Sequence, residues 1–243
     1  MKQVFTDAKC ALNNEFCLDE KQAHHIFDVL RTRENETIRV ICDDEVFLAH
    51  PAKKPYLYVF GKEETEPRLV DVTLCAALIK SDRFEWMLQK ACELGVSRIV
   101  PFVSRYSIIQ LDDKKALKKM ERWNSILMAA CRQCNRSDKV ELLPVTTIDN
   151  LAEYKSRCNL VAYEKEDEPS RHLANFLQKN PSSVTFCVGP EGGFTPAEIE
   201  RLNEQGFASC SLGNDILRAE TAVCYVLSCI EYQTHCQNWE VES

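Results

Sequence analysis

The chain has 243 residues, 45% hydrophobic and 28% charged, with a formal net charge of −7 at pH 7. That length can bury a sizeable core in one large domain or two unequal ones. No apolar run of about 18 residues offers a membrane-spanning helix, and MKQVFTDAKC lacks the apolar stretch of a secretory signal, so the expectation is a cytoplasmic protein with no membrane partner.

The first 60 residues read as a small, mostly β module. After HHIFDVLR come the short β-type runs TIRVIC, EVFLAH and YLYVF, separated by DD and PAKKP. GKEETEPR then reads as a linker, polar and without apolar periodicity. The expected division is residues 1–67 and residues 68–243.

From Val70 onward apolar runs alternate with helical patterns, the mark of an α/β domain with a mainly parallel sheet. VDVTLCAALI precedes a helix from about Asp82 to Leu94, for which Ser81 is the expected cap and Gly95 the expected terminator. Phe84, Met87, Leu88, Ala91 and Leu94 share its apolar face. RIVPFV, a basic helix, VELLPV, NLVAYE, a helix near His172 to Gln178, and SVTFCVG follow. Thr195, Pro196 and Glu198 spell a helix start, and a long helix from about Ala219 to Thr234 closes the pattern.

Charge is unevenly placed. Residues 80 to 139 carry 13 Lys and Arg against 7 Asp and Glu, a net +6 that leaves −13 for the remainder. A basic segment in an acidic chain points to a polyanionic partner, although KKALKKMERW also fits a solvated helix face. The 13 cysteines are scattered singly through apolar segments, as small buried hydrophobes of a reducing compartment are. Cys131 and Cys134 form a C-x-x-C without a second pair at zinc spacing, and His24 and His25 lack ligand partners, so no metal is expected.

Glycine carries the strongest signal. Five of the seven glycines lie between Gly189 and Gly213, in VGPEGGF and SLGNDILRAET. Gly206 among them reads as a helix terminator. A strand, a glycine-rich turn and a capped helix in succession build a site for a nucleotide-like ligand at the carboxyl end of a sheet. The spacing is neither G-x-G-x-x-G nor a P-loop.

GPEGGFTPAEIE followed by LGNDILRAETA resembles the paired C-terminal signature of the RsmE family, ribosomal-RNA methyltransferases of the SPOUT superfamily. HHIFDVLR, the ordered set Lys80, Glu85, Gln89, Lys90, ELGV and Pro101, and Arg122, Trp123 and AACRQCNR extend the likeness over most of the chain. The resemblance implies an N-terminal PUA-like β-barrel that binds RNA, a C-terminal SPOUT domain with a deep trefoil knot, and a homodimer. It implies S-adenosylmethionine as methyl donor, no metal, and methylation of ring nitrogen 3 of one uridine of 16S rRNA in the small ribosomal subunit.

Carried onto this chain, the donor would meet Val188, Gly189, Pro190, Gly192 and Gly193 from the first loop. Leu212, Gly213, Ile216 and Leu217 would come from the second, with Ala162 and Ala222 beside them. The acceptor nitrogen turns nucleophilic only when its proton is removed or its anion stabilised, which makes Glu191, Arg218 and Glu220 the catalytic candidates. Glu220 equally suits a helix-start charge. RNA contacts are expected at Arg31, Arg33, Lys80, Arg83 and Lys90, and at Arg132 and Arg136 of the basic helix. Two departures stand out: Asp215 occupies a position where the family has arginine, and ENETIRV and CDDEVF lack the family's glycines. A SPOUT enzyme acting on another rRNA or tRNA base and a non-catalytic RNA-binding homologue are the competing readings.

Overall fold

The computed structural model describes residues 2–107 and 113–241, which form two compact units. One comprises the chain up to Pro67 together with Cys131–Lys139, and the other comprises Arg68–Ala130 and the chain from Val140 onward.

The first unit is built on a five-stranded sheet of β1 (Lys2–Thr6), β2 (Asn14–Cys17), β3 (Ile38–Cys42), β4 (Glu45–Pro51) and β5 (Tyr56–Glu63), in the order β1-β3-β4-β5-β2. The pair β1–β3 is parallel and the rest are antiparallel. The three expected runs are β3, β4 and β5; β1 and β2 lie outside them, because KQVFT and NEFC are short and partly polar. Strand β5 also takes the first three residues of the expected linker. At the turn between β3 and β4, Asp43 and Asp44 both have positive φ, 49° and 61°, so two aspartates do what glycine does elsewhere in a tight hairpin. HHIFDVLR continues a short capped helix, α1 (Glu20–Ala23), into a π-helical segment, His24–Val29.

The core of this unit gathers Val4, Phe16, Ile26, Ile38, Val40 and Leu57. Outside the sheet, Gln3 donates through Nε2 to the Cys131 carbonyl at 2.8 Å. The buried Arg39 donates to the Asn135 carbonyl at 2.9 Å and to Glu63 Oε1 at 2.8 Å. Those bonds tie Cys131–Lys139 to β1 and β3: they meet both terminal nitrogens of the buried guanidinium, whose Nε is buried without a partner.

The second unit is a mixed α/β fold whose registered strand pairs are all parallel. Its strands are β6 (Asp71–Ala77), β7 (Arg98–Val103), β8 (Glu141–Leu142), β9 (Thr146–Thr147), β10 (Cys158–Ala162), β11 (Ser183–Val188) and β12 (Ala208–Cys210), ordered β12-β10-β11-β6-β7-β8 with β9 on β7. The helices are α2 (Ser81–Glu93), α3 (Asp113–Gln133), α4 (Leu173–Leu177), α5 (Pro196–Glu204) and α6 (Ala219–Val241). A 3-10 helix, Ile148–Tyr154, joins β9 to β10. VELLPV yields only a two-residue strand, and the closing helix runs beyond its expected end.

Helix α2 shows how side chains fix this unit. Phe84, Met87, Leu88 and Ala91 are buried as the period required, joined by Cys92. Phe84 packs on Trp123 of α3 with ring centroids 4.6 Å apart. Gly95 terminates the helix at φ 92°. Ser81 is not its cap: Lys80 holds that position without a side-chain bond, and the Ser81 hydroxyl instead accepts from Lys119 Nζ at 2.6 Å.

Phe84→Ala, removing a fully buried ring, should cost about 3–5 kcal/mol of unfolding free energy, read as a lower urea midpoint at unchanged slope.

Candidate active site

Parallel strands deliver their carboxyl ends to one edge of the sheet, where open α/β folds bind ligands. At that edge β11 ends at Val188 and the chain turns through Gly189 to Phe194 into α5. The Gly193 N–H donates to the Pro190 carbonyl at 2.9 Å, and Gly193 sits at φ 69°, where a side chain would be strained. Gly192 is required for a different reason. A Cβ there would lie 3.0 Å from Tyr106 Cβ, so any larger residue would force the turn or the segment after β7 to shift by a few tenths of an ångström.

Glu198 ties these two segments together. Its Oε2 accepts from the Thr195 N–H at 2.8 Å and the Thr195 hydroxyl at 2.9 Å, closing the expected capping box. Its Oε1 accepts from the Ser104 hydroxyl and the Arg105 N–H, both at 2.9 Å. Burial pushes the Glu198 carboxyl up, but the backbone bonds from Arg105 and Thr195 and the two hydroxyls outweigh it, leaving the group below the usual carboxylate range.

The second loop leaves β12 at Cys210. The Tyr163 N–H donates to the Cys210 carbonyl at 3.0 Å, holding the ends of β10 and β12 together. Gly213 then adopts φ 126°, and α6 begins at Ala219.

The two loops enclose a cleft of about 480 Å³. All eleven residues expected around the donor line it: the first-loop set Val188, Gly189, Pro190, Gly192 and Gly193, the second-loop set Leu212, Gly213, Ile216 and Leu217, and Ala162 and Ala222. Ile216 is 81% exposed, an apolar wall facing open space. Glu191 and Arg218 also line the cleft.

Glu220 does not line the cleft, because it points from the first turn of α6 to where its Oε2 is buried without a hydrogen-bond partner. Arg83, expected on RNA, instead reaches the cleft and faces Glu191 with Nη1 3.6 Å from Oε1. Tyr163, Glu164, Phe194 and Asp215 line it too. The first three lie outside the expected set: Tyr163 and Glu164 are marked only by their place after β10, and Phe194 only by its place before the cap of α5.

Arg31, Arg33, Lys80 and Arg132 are exposed. Lys90 is half-buried and paired with Glu93 at 2.6 Å. Arg136 is a correction: its side chain is 4% exposed and bonded to Asp138, so it braces the segment after α3 and cannot reach RNA. Cys131 is buried in α3, and no group of three or more His, Cys, Asp or Glu able to hold a metal occurs among the described residues.

The parallel sheet and its two-loop cleft lie within residues 65–231, which match the family described as an RNA methyltransferase domain. Over 234 residues the chain is 37% identical to the ribosomal RNA small subunit methyltransferase E of Bacillus subtilis (strain 168), covering 90% of each. The crystal structure of a ribosomal RNA small subunit methyltransferase E from Neisseria gonorrhoeae bound to S-adenosyl methionine superposes with a TM-score of 0.84 at 26% identity, covering 96% of this chain and 97% of that one. A putative methyltransferase from Legionella pneumophila, in complex with bound cofactor SAM, superposes with a TM-score of 0.83 at 27% identity over 95% and 96%. The chain belongs to the ribosomal RNA small subunit methyltransferase E family.

A depressed folded-state pKa contributes stability that is present above the unfolded value, about 4.3 for glutamate, and is lost as pH falls through the folded value. Glu198→Gln should therefore lower the urea midpoint at pH 7 and flatten its fall on acidification below about pH 4 relative to the unaltered protein. Identical pH profiles for the two would show that Glu198 is not the group holding the loops.

Proposed function

We propose that the protein transfers a methyl group from S-adenosylmethionine to ring nitrogen 3 of one uridine of 16S rRNA in the small ribosomal subunit. The convergence of the eleven expected donor contacts on one cleft carries this assignment. The residues suit the donor. The volume falls within the range of small-molecule sites, the glycines let backbone polar groups approach, and Leu212, Ile216 and Leu217 offer apolar faces to an adenosine body. S-adenosylmethionine, when bound, supplies an electrophilic methyl group on a sulfonium.

The remaining chemistry belongs to the chain. The imide nitrogen of uridine must give up its proton as the new carbon–nitrogen bond forms. Of the carboxylates at the cleft, Glu191 is assigned as the acceptor of that proton, with Arg83, 3.6 Å away, as the residue that positions it. Arg218, whose guanidinium has no ion-pair partner among the described residues, stabilises the developing uridine anion. Glu220 is left as a helix-start charge. Asp215 adds a carboxylate at the cleft, which leaves Arg83 and Arg218 as its cations.

The proposal includes a PUA-like RNA-binding barrel in residues 1–67, supported by the run of antiparallel neighbours from β3 to β2. It includes a SPOUT domain in residues 68–243 with a deep trefoil knot, for which the placement of the late strand β11 beside β6 is the support. A cytoplasmic homodimer that meets the ribosomal subunit through exposed Arg31, Arg33, Lys80 and Arg132 completes it.

Incubating the protein with labelled S-adenosylmethionine and small subunits from cells lacking it should produce N3-methyluridine. Arg218→Ala should slow that transfer about 10²–10³-fold while calorimetry shows the donor still bound. A full rate in the variant would remove Arg218 from the mechanism, and absence of N3-methyluridine with the unaltered protein would remove the substrate.

A further inference from the structure

The first unit carries a feature that the cleft does not use. Strand β5 alternates buried Leu57 and Val59 with exposed Tyr56, Tyr58 and Phe60, which are 39%, 43% and 39% exposed. Alternate residues of a strand point to one face about 7 Å apart, so the three rings form a row on the outside of the sheet. Phe60 stands at an irregularity in the β4–β5 register, where its ring stacks on His50 of β4 with centroids 4.2 Å apart and planes within 15°. Four aromatic side chains therefore share one outer face, two of them already stacked.

This face contrasts with the outer face of β1 and β3 in the same unit, where Gln3 and Arg39 are buried under the segment after α3. Lys53 and Lys54 stand exposed on the hairpin that leads into Tyr56, Lys54 paired with Asp28 at 2.6 Å. On the other side His50 Nδ1 lies 3.2 Å from the Glu36 carbonyl, and the exposed Glu15 stands opposite Tyr58 in the β2–β5 register. A row of rings with lysines at one end matches unpaired nucleotides, whose bases stack on aromatic faces while a phosphate meets Lys. A protein partner would favour a larger apolar core with charge kept to its rim.

We propose that Tyr56, Tyr58, Phe60 and His50 form a stacking platform for unpaired bases of single-stranded RNA, distinct from the methyl-transfer cleft. It rests on the assignment of the protein as an RNA-modifying enzyme, and it names the form of RNA that the N-terminal unit holds.

Fluorescence anisotropy with the full-length protein tests it, using a labelled, unstructured 12-nucleotide RNA and the same sequence annealed to its complement. The single strand should bind more tightly than the duplex. Tyr58→Ala and Phe60→Ala should each weaken single-strand binding about tenfold, while Tyr58→Phe and Phe60→Tyr, which keep a ring, should restore it. Unchanged melting temperature and unchanged calorimetric binding of S-adenosylmethionine establish that a weakened variant is folded. Equal affinities in the alanine and ring-keeping variants, or no binding by the unaltered protein, would overturn the platform. So would alanine variants that lose self-association and keep RNA binding, which would assign the face to a second copy. A failed platform leaves N3-methyluridine formation intact in the small-subunit assay, whereas a failed enzyme assignment abolishes it in the unaltered protein as well.

Discussion

One carboxylate holds the cleft in shape. Glu198 divides its two oxygens between the first turn of α5 and the segment following β7, so four donors on two loops share a single side chain. Without it, the glycine turn would lose its polar tie to the segment after β7, and the core packing of Phe194, Ile199 and Leu202 would be left to keep Gly192 near Tyr106. A site lined largely by backbone can be no more precise than the loops that present it. Here that precision comes from a helix cap doing double duty.

The site was more legible in the sequence than the fold around it. Glycine is scarce along this chain, so VGPEGGF and SLGNDILRAET announced unusual backbone geometry, and residue-by-residue likeness assigned the neighbours. What the sequence hid was direction. Glu220 and Arg218 are two residues apart, yet entry into α6 separates their side chains, one lining the cleft and the other buried in part. Arg136 looked like one more cation of a basic helix, but Asp138 two residues on takes its charge inward. In both cases a local pattern records which residues are charged, while the turn of the backbone decides where the charge goes.

Elements were lost for similar reasons. Strands β1 and β2 contain too few apolar residues to show a period, and their pairing with β3 and β5 comes from tertiary contact. Ser81 has the chemistry of a helix cap, but α2 begins one residue earlier than its spacing implied and the hydroxyl serves Lys119 instead. The β-type run YLYVF is a strand, as its residues imply, but a run of β-formers does not show which of its rings face outward.

The segment Cys131–Lys139 changes what a domain means for this chain. Most of the first unit is encoded continuously, but the polar cover of β1 and β3 is encoded more than sixty residues later, at the end of a helix that begins in the other unit. A gene fragment stopping at Pro67 would leave Gln3 and Arg39 facing solvent in place of the carbonyls they bind. Recombination that swaps the N-terminal module between relatives must carry this distant stretch with it, so the two units are constrained to be inherited together.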